Sequence, residues 1–369
     1  MKKTISLLAA GVVSAASTAG AQSAFDVGVR IAPQYHSYEF KSPVDTKITE
    51  FALPVFVLVP VTPRLTFDIG TSFTQAEVSS TRGSAAKSTI SGVTDTQIRA
   101  NYTLGNDFVV FTAGVNLPTG QSTVKPDELA AASLIGNDFL ALPISNMGTG
   151  FGGTGGIAFA RPVGAWSVGA GVSVRHSASY DPVDMGGLAN VRYQPGNEYR
   201  IRAGVDRGFG TGRFNLGLTY SAFQDDDLGG SAYNTGNRWL AQAGLNNNFG
   251  PGMLTFSAWN LYRESGHLFD STVVGKENIV DGALAYGIQL GSSGVIEPNV
   301  ESRVWTQTGG APSSIINTVG LRAQFPLVSG LAAIPSVGYS FGRFGSGATG
   351  ATTTADLVGM HATLAIRVR

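Results

Sequence analysis

Apolar and polar residues alternate with a period of two along nearly the whole chain, and this pattern limits the possible folds more than any other feature. In one example, Leu65, Phe67 and Ile69 lie on one face of a segment, and Thr66 and Asp68 lie on the other. A period of two is typical of a β-strand, in which successive side chains point to opposite faces. Patterns of helical period are nearly absent. The sequence therefore predicts an all-β fold.

The length of the alternating segments separates two kinds of β-protein. We identify about sixteen candidate strands, most of roughly 11–16 residues, whereas soluble strands usually have about 5–6 and a tilted membrane strand needs about 9–11. Short and long connections follow each other in turn, as they do in outer-membrane barrels. We predict a single transmembrane antiparallel up-and-down β-barrel of about 16 strands (roughly 14–18), with both termini periplasmic.

Aromatic residues fall near both ends of these segments, as expected for the two headgroup regions of a bilayer. Those next to short connections include Tyr102, Phe159, Trp166, Phe214 and Phe325, and those near long ones include Tyr220, Trp239, Tyr339 and Phe341. The core of a soluble sandwich would instead have its aromatic residues scattered along the strands. A secreted soluble β-protein is the alternative to the membrane barrel.

The start of the chain has the features of a secretory signal peptide. Lys2 and Lys3 precede an apolar run, Ile5 to Val13, and the segment ends in Ala19-Gly20-Ala21, which matches an A-x-A cleavage site. We predict that residues 1–21 are a cleaved signal peptide and that residues 22–369 form the barrel. The predicted location is the bacterial outer membrane.

The composition argues against several kinds of chemistry. The chain has no Cys and only 4 His, which excludes disulfides, cysteine–zinc sites and thiol nucleophiles. Lys+Arg and Asp+Glu are equal at 25 each, so no net charge attracts nucleic acid. His176 lies near Ser177 and Asp181, but serines are too frequent here for this to indicate a catalytic site. We predict no enzymatic activity and no cofactor.

One acidic segment is a candidate for metal binding. Asp225, Asp226 and Asp227 are adjacent in a predicted loop, where carboxylates could bind Ca²⁺ or bridge lipopolysaccharide through divalent ions. The simpler interpretation, a solvated turn, is favoured.

Several short glycine-rich motifs resemble a known group of proteins. They are Ser91–Ile98, Gly114–Gly120, Asn146–Phe151, Tyr180–Pro182 and Tyr193–Gly196. With them the chain resembles bacterial outer-membrane transporters of the phenol meta-pathway-like and long-chain fatty-acid/aromatic-hydrocarbon channel families. The resemblance implies passive uptake of small hydrophobic molecules.

Charged residues within the strands fall on the face opposite the apolar one. The candidates for lining a pore are Arg175, Arg200, Arg202, Arg303, Arg322, Glu297 and Glu301. Such residues either form a network of cross-strand pairs that fills the barrel or line an aqueous pore. A barrel of about sixteen strands is wide enough for a channel, which favours the pore.

The longest connection, residues 118–149, is the candidate for narrowing that pore. It contains a predicted helix, Pro126 to Ile135, and enough apolar residues to fold into the lumen. Its acidic residues are Asp127, Glu128 and Asp138. We expect them to face a basic wall formed by Arg175, Arg200 and Arg202.

The sequence as a whole predicts a passive, porin-like channel for small solutes. The alternatives are a selective channel for hydrophobic or aromatic compounds or fatty acids, and a plugged barrel with a structural or adhesive role. The expected partners are outer-membrane lipid and lipopolysaccharide, small-molecule solutes and the barrel-assembly machinery, with no nucleic acid. A homo-oligomer is compatible with this prediction.

Overall fold

The structure is a computed structural model that describes residues 27–41, 45–80, 87–105, 108–184, 191–268, 273–291, 294–308, 312–328, 330–346 and 353–368. The predicted signal peptide, residues 1–21, lies outside the described residues. Within these ranges, no helix combines the length and the apolar character needed to cross a bilayer.

Sixteen antiparallel strands form a closed barrel, which confirms the predicted fold class and strand number. Two of the strands are interrupted and have two segments each. The strands are β1 (Gly28–Ile31 and Gln34–Lys41), β2 (Thr46–Thr62), β3 (Leu65–Ser80), β4 (Ser88–Val93 and Thr96–Leu104), β5 (Val109–Leu117), β6 (Gly152–Val163), β7 (Trp166–Ser177), β8 (Glu198–Phe209), β9 (Gly212–Phe223), β10 (Arg238–Phe249), β11 (Gly252–Arg263), β12 (Glu277–Leu290), β13 (Gly294–Gln307), β14 (Ser314–Val328), β15 (Leu331–Ser346) and β16 (Thr353–Val368).

The barrel closes where its first and last strands pair. Val29 of β1 lies opposite Val368 of β16, and Tyr38 lies opposite Gly359 further along the same seam. Each strand otherwise pairs with its neighbours in the sequence. An even number of strands with this connectivity is typical of bacterial outer-membrane barrels.

The two rims of the barrel differ in their connections. At one rim, which we call the short-turn rim, strands are joined by tight turns such as those at Gly210 and Gly250, whose positive φ angles of 51° and 58° favour glycine. The opposite, long-loop rim carries the long connections, including a small sheet of Tyr193–Gln194, Asp226–Leu228 and Ser231–Tyr233. β1 begins and β16 ends at the short-turn rim.

The outer surface of the barrel is apolar over its middle. Along the strands, exposed apolar residues alternate with small or polar ones that point inward. Ile201 is 57% exposed and Leu284 is 43% exposed, although both lie in the centre of a regular sheet. Apolar side chains in such positions are stable in contact with lipid, and closure satisfies the backbone hydrogen bonds that lipid cannot. The protein is therefore a bacterial outer-membrane barrel.

Aromatic rings form contacts near both rims on this outer surface. Near the short-turn rim, Trp166 packs edge-on against Phe214, and the guanidinium of Arg207 lies 5.0 Å from the Trp166 ring centre. Near the long-loop rim, the rings of Tyr220 and Trp239 are 4.4 Å apart. Amphipathic rings are favoured at headgroup level, so these pairs mark the two edges of the bilayer.

A charge on the outer face should destabilise the barrel more than one on the inner face. Leu284 points outward at the middle of β12, and its neighbour Ala283 points inward opposite Glu301 of β13. We expect Leu284→Arg to lower the free energy of unfolding by about 2–4 kcal/mol, the cost of a cation at the bilayer midplane. The matched variant Ala283→Arg should cost less, because the new cation can face a carboxylate. Denaturant unfolding in lipid vesicles measures both, and equal losses would contradict the assigned faces.

Candidate functional site: the barrel lumen and its loop

The connection between β5 and β6, residues 118–151, packs against the inner wall of the barrel; we call it the lumen loop. It contains one short helix, α1 (Leu129–Ile135), which lies within the helix predicted from the sequence. The loop buries Ala131, Ile135, Phe139, Leu140, Leu142 and Met147 almost completely. They join one apolar cluster with wall residues that include Tyr38, Phe40, Ile48, Ile90, Ile279, Ile316 and Leu357. The long-loop half of the lumen therefore contains an apolar core.

The lumen loop is attached to two distant parts of the wall. On one side, the hydroxyl of Ser88 in β4 donates to the carbonyl of Asp127 at 2.6 Å and accepts from the amide of Ala131 at 3.1 Å. On the other side, Nη1 of Arg303 in β13 donates to the carbonyl of Phe139 at 2.9 Å. The ring of Phe139 stacks on Trp305 with their centres 5.5 Å apart. The loop thus bridges the barrel interior from β4 to β13.

Arg303 and Glu301, two predicted pore-lining residues, belong to a buried charge network at this attachment. Nε of Arg303 lies 3.0 Å from a carboxylate oxygen of Asp281, and Nη2 lies 2.6 Å from one of Glu301. The guanidinium also lies 5.4 Å from the ring centre of Trp259. Removing one partner of a buried ion pair is strongly destabilising, since the remaining charge has no counterion. Arg303 therefore holds the loop against β13.

A second attachment uses residues that the sequence analysis missed. The fully buried Glu50 of β2 accepts the backbone amide of Ile144 at 2.9 Å through one oxygen, and its other oxygen has no partner in the described part of the chain. Across the closing seam, His36 and His361 stack with ring centres 5.4 Å apart. Glu50 lies on the inward face of an otherwise apolar stretch. This pattern in the sequence could have identified it as a candidate functional residue.

The base of the lumen loop is held by one carboxylate, Asp95, in the break between the two segments of β4. Asp95 accepts the amide of Gly120 at 3.0 Å, the amide of Thr149 at 2.7 Å and the side-chain amide of Asn116 at 2.7 Å. Its own amide donates to the carbonyl of Met147 at 3.2 Å. One buried side chain therefore joins the start and the end of the loop, an arrangement we call the Asp95 clasp.

The clasp explains why several short motifs share small residues. Segments 91–98, 114–120 and 146–151, all noted for their resemblance to channel families, meet at Asp95. A Cβ on Gly120 would overlap the carbonyl oxygen of Met147, and one on Gly148 would lie 2.9 Å from Asp95 Oδ1. Backbones approach too closely here for any larger residue.

The predicted basic wall occupies adjacent strands. Arg175 of β7 lies opposite Glu198 of β8, and Arg200 and Arg202 follow on the same inward face of β8. Arg200 pairs with Glu198, with Nε 2.9 Å from its oxygen, and Arg175 donates to the Thr149 hydroxyl at 3.3 Å. Arg200 is therefore neutralised within its own strand, whereas Arg175 touches the end of the lumen loop.

The predicted acidic residues of the loop have other contacts. Glu128 accepts the amide of Lys125 at 2.9 Å and the side-chain amide of Gln121 at 2.5 Å, so it caps its own loop. Asp138 lies 3.8 Å from Arg238 of β10, and Asp127 uses its carbonyl at Ser88. In the described residues these acids form no ion pair with the three predicted arginines. The facing basic and acidic groups stay a prediction.

The remaining residues predicted from the sequence to line the pore or bind a metal lie near the rims. Arg322 of β14 is 3.4 Å from Glu297 of β13, in the half of the barrel nearer the short turns. At the long-loop rim, Asp225 accepts from Asn234, Asp226 accepts from the Tyr193 hydroxyl and the Gly196 amide, and Asp227 accepts from the Gly230 amide. The three carboxylates serve separate turns. The described part of the chain has no group of three or more His, Cys, Asp or Glu suited to a metal ion.

The wall opposite the attached loop is lined by small residues; we call it the glycine-rich wall and define it as the inward faces of β5–β10. Its strands alternate exposed outward residues, such as Val172, with inward ones that are often glycine and otherwise mostly polar or charged. The inward glycines are Gly114, Gly152, Gly156, Gly169, Gly171, Gly204, Gly217 and Gly244. These eight positions add no side chain to the lumen.

Removing the Asp95 carboxylate should release the lumen loop without unfolding the barrel. We expect Asp95→Ala to make the loop at least about tenfold more susceptible to chymotrypsin near Phe139, because three donors lose their charged acceptor. Asp68→Ala is the matched control, since Asp68 is also an inward carboxylate but accepts only the Asn101 amide among the described residues. Mass spectrometry of the fragments measures the change. Equal cleavage of the two variants would contradict the clasp.

No family model matches the chain, and no curated protein matches its sequence. Solved structures similar in fold include an anion-selective porin from Comamonas acidovorans, with 15% identity, a TM-score of 0.43 and coverage of 93% of this chain and 99% of the porin. A FadL homologue from Pseudomonas aeruginosa has 10% identity, a TM-score of 0.46 and coverage of 93% and 90%. OmpT of Vibrio cholerae, an outer-membrane protein, has 11% identity, a TM-score of 0.44 and coverage of 94% and 98%. The similarity concerns the barrel fold alone.

Proposed function

We propose that this protein is a passive outer-membrane channel for small polar solutes, whose path runs between the lumen loop and the glycine-rich wall. It carries out no chemical conversion and uses no cofactor. The path crosses the membrane from the long-loop rim, which faces the outside of the cell, to the short-turn rim in the periplasm. Its substrates would be solutes small enough to pass the loop.

The observation that carries this proposal is the unequal filling of the lumen. The loop packs on bulky inward residues of β1–β4 and β11–β16, such as Tyr38, Trp305 and Phe344. The inward positions of β5–β10 are glycine, serine or threonine at nearly half of the sites, and most of the others are polar or charged. A barrel of sixteen strands has an interior wide enough for water. Filling one side leaves the other side as the continuous polar route.

The polar lining favours hydrophilic over hydrophobic solutes. Pairs such as Arg213 with Asp206, whose Nε and carboxylate oxygen are 2.6 Å apart, require water or mutual contact to remain inside a barrel. One inward residue favours hydrophobic solutes instead. Phe56 of β2 is 53% exposed and lies opposite Gly70. It supports the second candidate, uptake of hydrophobic or aromatic compounds, as the resemblance implies. Liposome swelling with sugars, amino acids and aromatic solutes distinguishes the two candidates.

Removing the lumen loop should widen the channel. We expect deletion of residues 125–142 to raise single-channel conductance about two-fold or more, because the apolar core that fills the long-loop half is lost. Planar lipid bilayers provide the measurement. The matched control is deletion of the outer hairpin, residues 226–232, which lies at the rim and should leave conductance nearly unchanged.

Two outcomes would count against the proposal. A wild-type protein that folds but conducts no ions would instead be a plugged barrel with a structural or adhesive role. If the loop-deletion variant folds and its conductance does not change, the solute path lies outside the region bounded by the loop. Heat-dependent migration in electrophoresis confirms that each variant has a folded barrel.

The orientation follows from the unequal rims and can be tested with single cysteines, since the chain has none. Asp227 is exposed at the long-loop rim, and Pro251 is exposed in a short turn. We expect Asp227→Cys to react with a membrane-impermeant maleimide on intact cells, and Pro251→Cys to react only after the outer membrane is opened. The reverse labelling would invert the topology.

A further inference from the structure

The inner face of β2 is apolar towards the short-turn rim, where the alternation of apolar and polar residues is interrupted. Residues 51–61 are apolar without a break, so β2 has apolar side chains on both of its faces. Phe56 and Leu58 are on the inner face, opposite Gly70 and Asp68 of β3. Neither belongs to the apolar cluster that the lumen loop forms with the wall. The need to pack the loop therefore does not explain this apolar part of the lumen wall.

Phe56 presents its ring to the lumen. The ring lies across Gly70, since a Cβ on that glycine would be 3.0 Å from two of the ring carbons. More than half of the side chain nevertheless stays open, because Phe56 is 53% exposed. An apolar surface that faces water inside a channel is covered favourably by an apolar group of a ligand.

Two arginines lie beside this ring, one after the other across the seam that closes the barrel. Arg30 of β1 is directly opposite Phe56 on one side and directly opposite Arg367 of β16 on the other. Residues in such positions share a face of the sheet and have Cβ atoms about 4.5–5.5 Å apart. The three side chains are therefore neighbours in one row on the inner wall, and the register of the strands fixes this arrangement.

Arg30 is the cation of this row that is available to a ligand. Its side chain is exposed and forms no hydrogen bond or ion pair in the described part of the chain. Its diagonal neighbours Leu58 and Ala365 are apolar. Arg367 has an interaction of its own, and its charge adds to that of Arg30. Like charges directly opposite each other repel, so an anion beside Arg30 is favoured.

We propose that Phe56, Arg30 and Arg367 form a binding site for an aromatic monocarboxylate within the channel. The guanidinium of Arg30 donates to the two carboxylate oxygens, and the ring of the ligand stacks on Phe56. Sites for small ligands usually combine an apolar wall with a few placed polar groups, and the inner face of β2 supplies that wall. As a statement of what the channel carries, the proposal rests on the proposed function, but binding itself requires no conduction.

The first test compares ligands that carry only part of this chemistry. In detergent-folded protein, saturation-transfer NMR should show saturable binding of benzoate. Acetate has the charge without the ring, and benzamide has the ring without the charge, so each should need at least about tenfold more for half-saturation. Acetate that binds as tightly as benzoate would overturn a site for aromatic ligands. Benzamide that binds as tightly would overturn the role of the arginines.

Variants of the two wall residues locate the site. Arg30→Gln should raise the half-saturating benzoate concentration about tenfold or more, the equivalent of one charge-assisted hydrogen bond. Phe56→Leu keeps an apolar side chain but loses the ring, so this concentration should rise about threefold. The matched controls Arg161→Gln and Phe159→Leu change the outer face of β6 and should keep wild-type values. Heat-dependent migration confirms folding, and an unchanged benzoate value in either wall variant would overturn the site.

The second test measures transport and separates the two proposals. In planar bilayers, benzoate should reduce the chloride current with a saturable dependence in wild type and Arg161→Gln, and not in Arg30→Gln. A wild-type current that benzoate leaves unchanged would overturn the site and leave the channel intact. Saturable binding of benzoate without any current would leave the site intact and overturn the channel.

Discussion

Pairing of the first strand with the last determines what the rest of this molecule can do. In a bilayer, an open sheet edge would leave backbone groups without partners, so β1 and β16 must pair along their length. Once the sheet is closed, the strict alternation of side chains divides every strand between lipid and lumen. The outer face then has to be apolar throughout, whereas the inner face is free to vary in size and charge around the circumference.

That freedom produces an interior with two unlike sides. Where the inward residues are large, as with Tyr38 and Trp305, they form an apolar core with Phe139 of the lumen loop. The inward glycines of β5–β10 are not members of this cluster among the described residues. Burial of the loop is favourable only on the side with large apolar residues, because a core there removes apolar surface from water. The apolar part of the loop therefore stays on that side, held by Arg303 and by the Asp95 clasp.

The fold could be predicted from the sequence, because the period of two and the alternation of connection lengths are local features. The position of the long loop between β5 and β6 and its helix could be predicted for the same reason. The contacts of the charged residues in the loop could not be predicted. Glu128, for example, accepts from Lys125 and Gln121 of its own loop, and these contacts depend on the conformation of the loop. The role of Asp95 depends on three segments that meet only after folding.

Strand register also decides which arginines in the lumen have an ion-pair partner. A carboxylate two residues away on the same strand lies on the same face, and in this way Glu198 neutralises Arg200 and Glu301 neutralises Arg303. A cross-strand partner depends on the register of two strands, as for Arg322 and Glu297. Arg99 has a cross-strand acid in Asp68, but Asn101 lies close enough to bind that carboxylate instead. The charge balance inside the lumen therefore depends on strand pairing, and the equal totals of 25 basic and 25 acidic residues do not determine it.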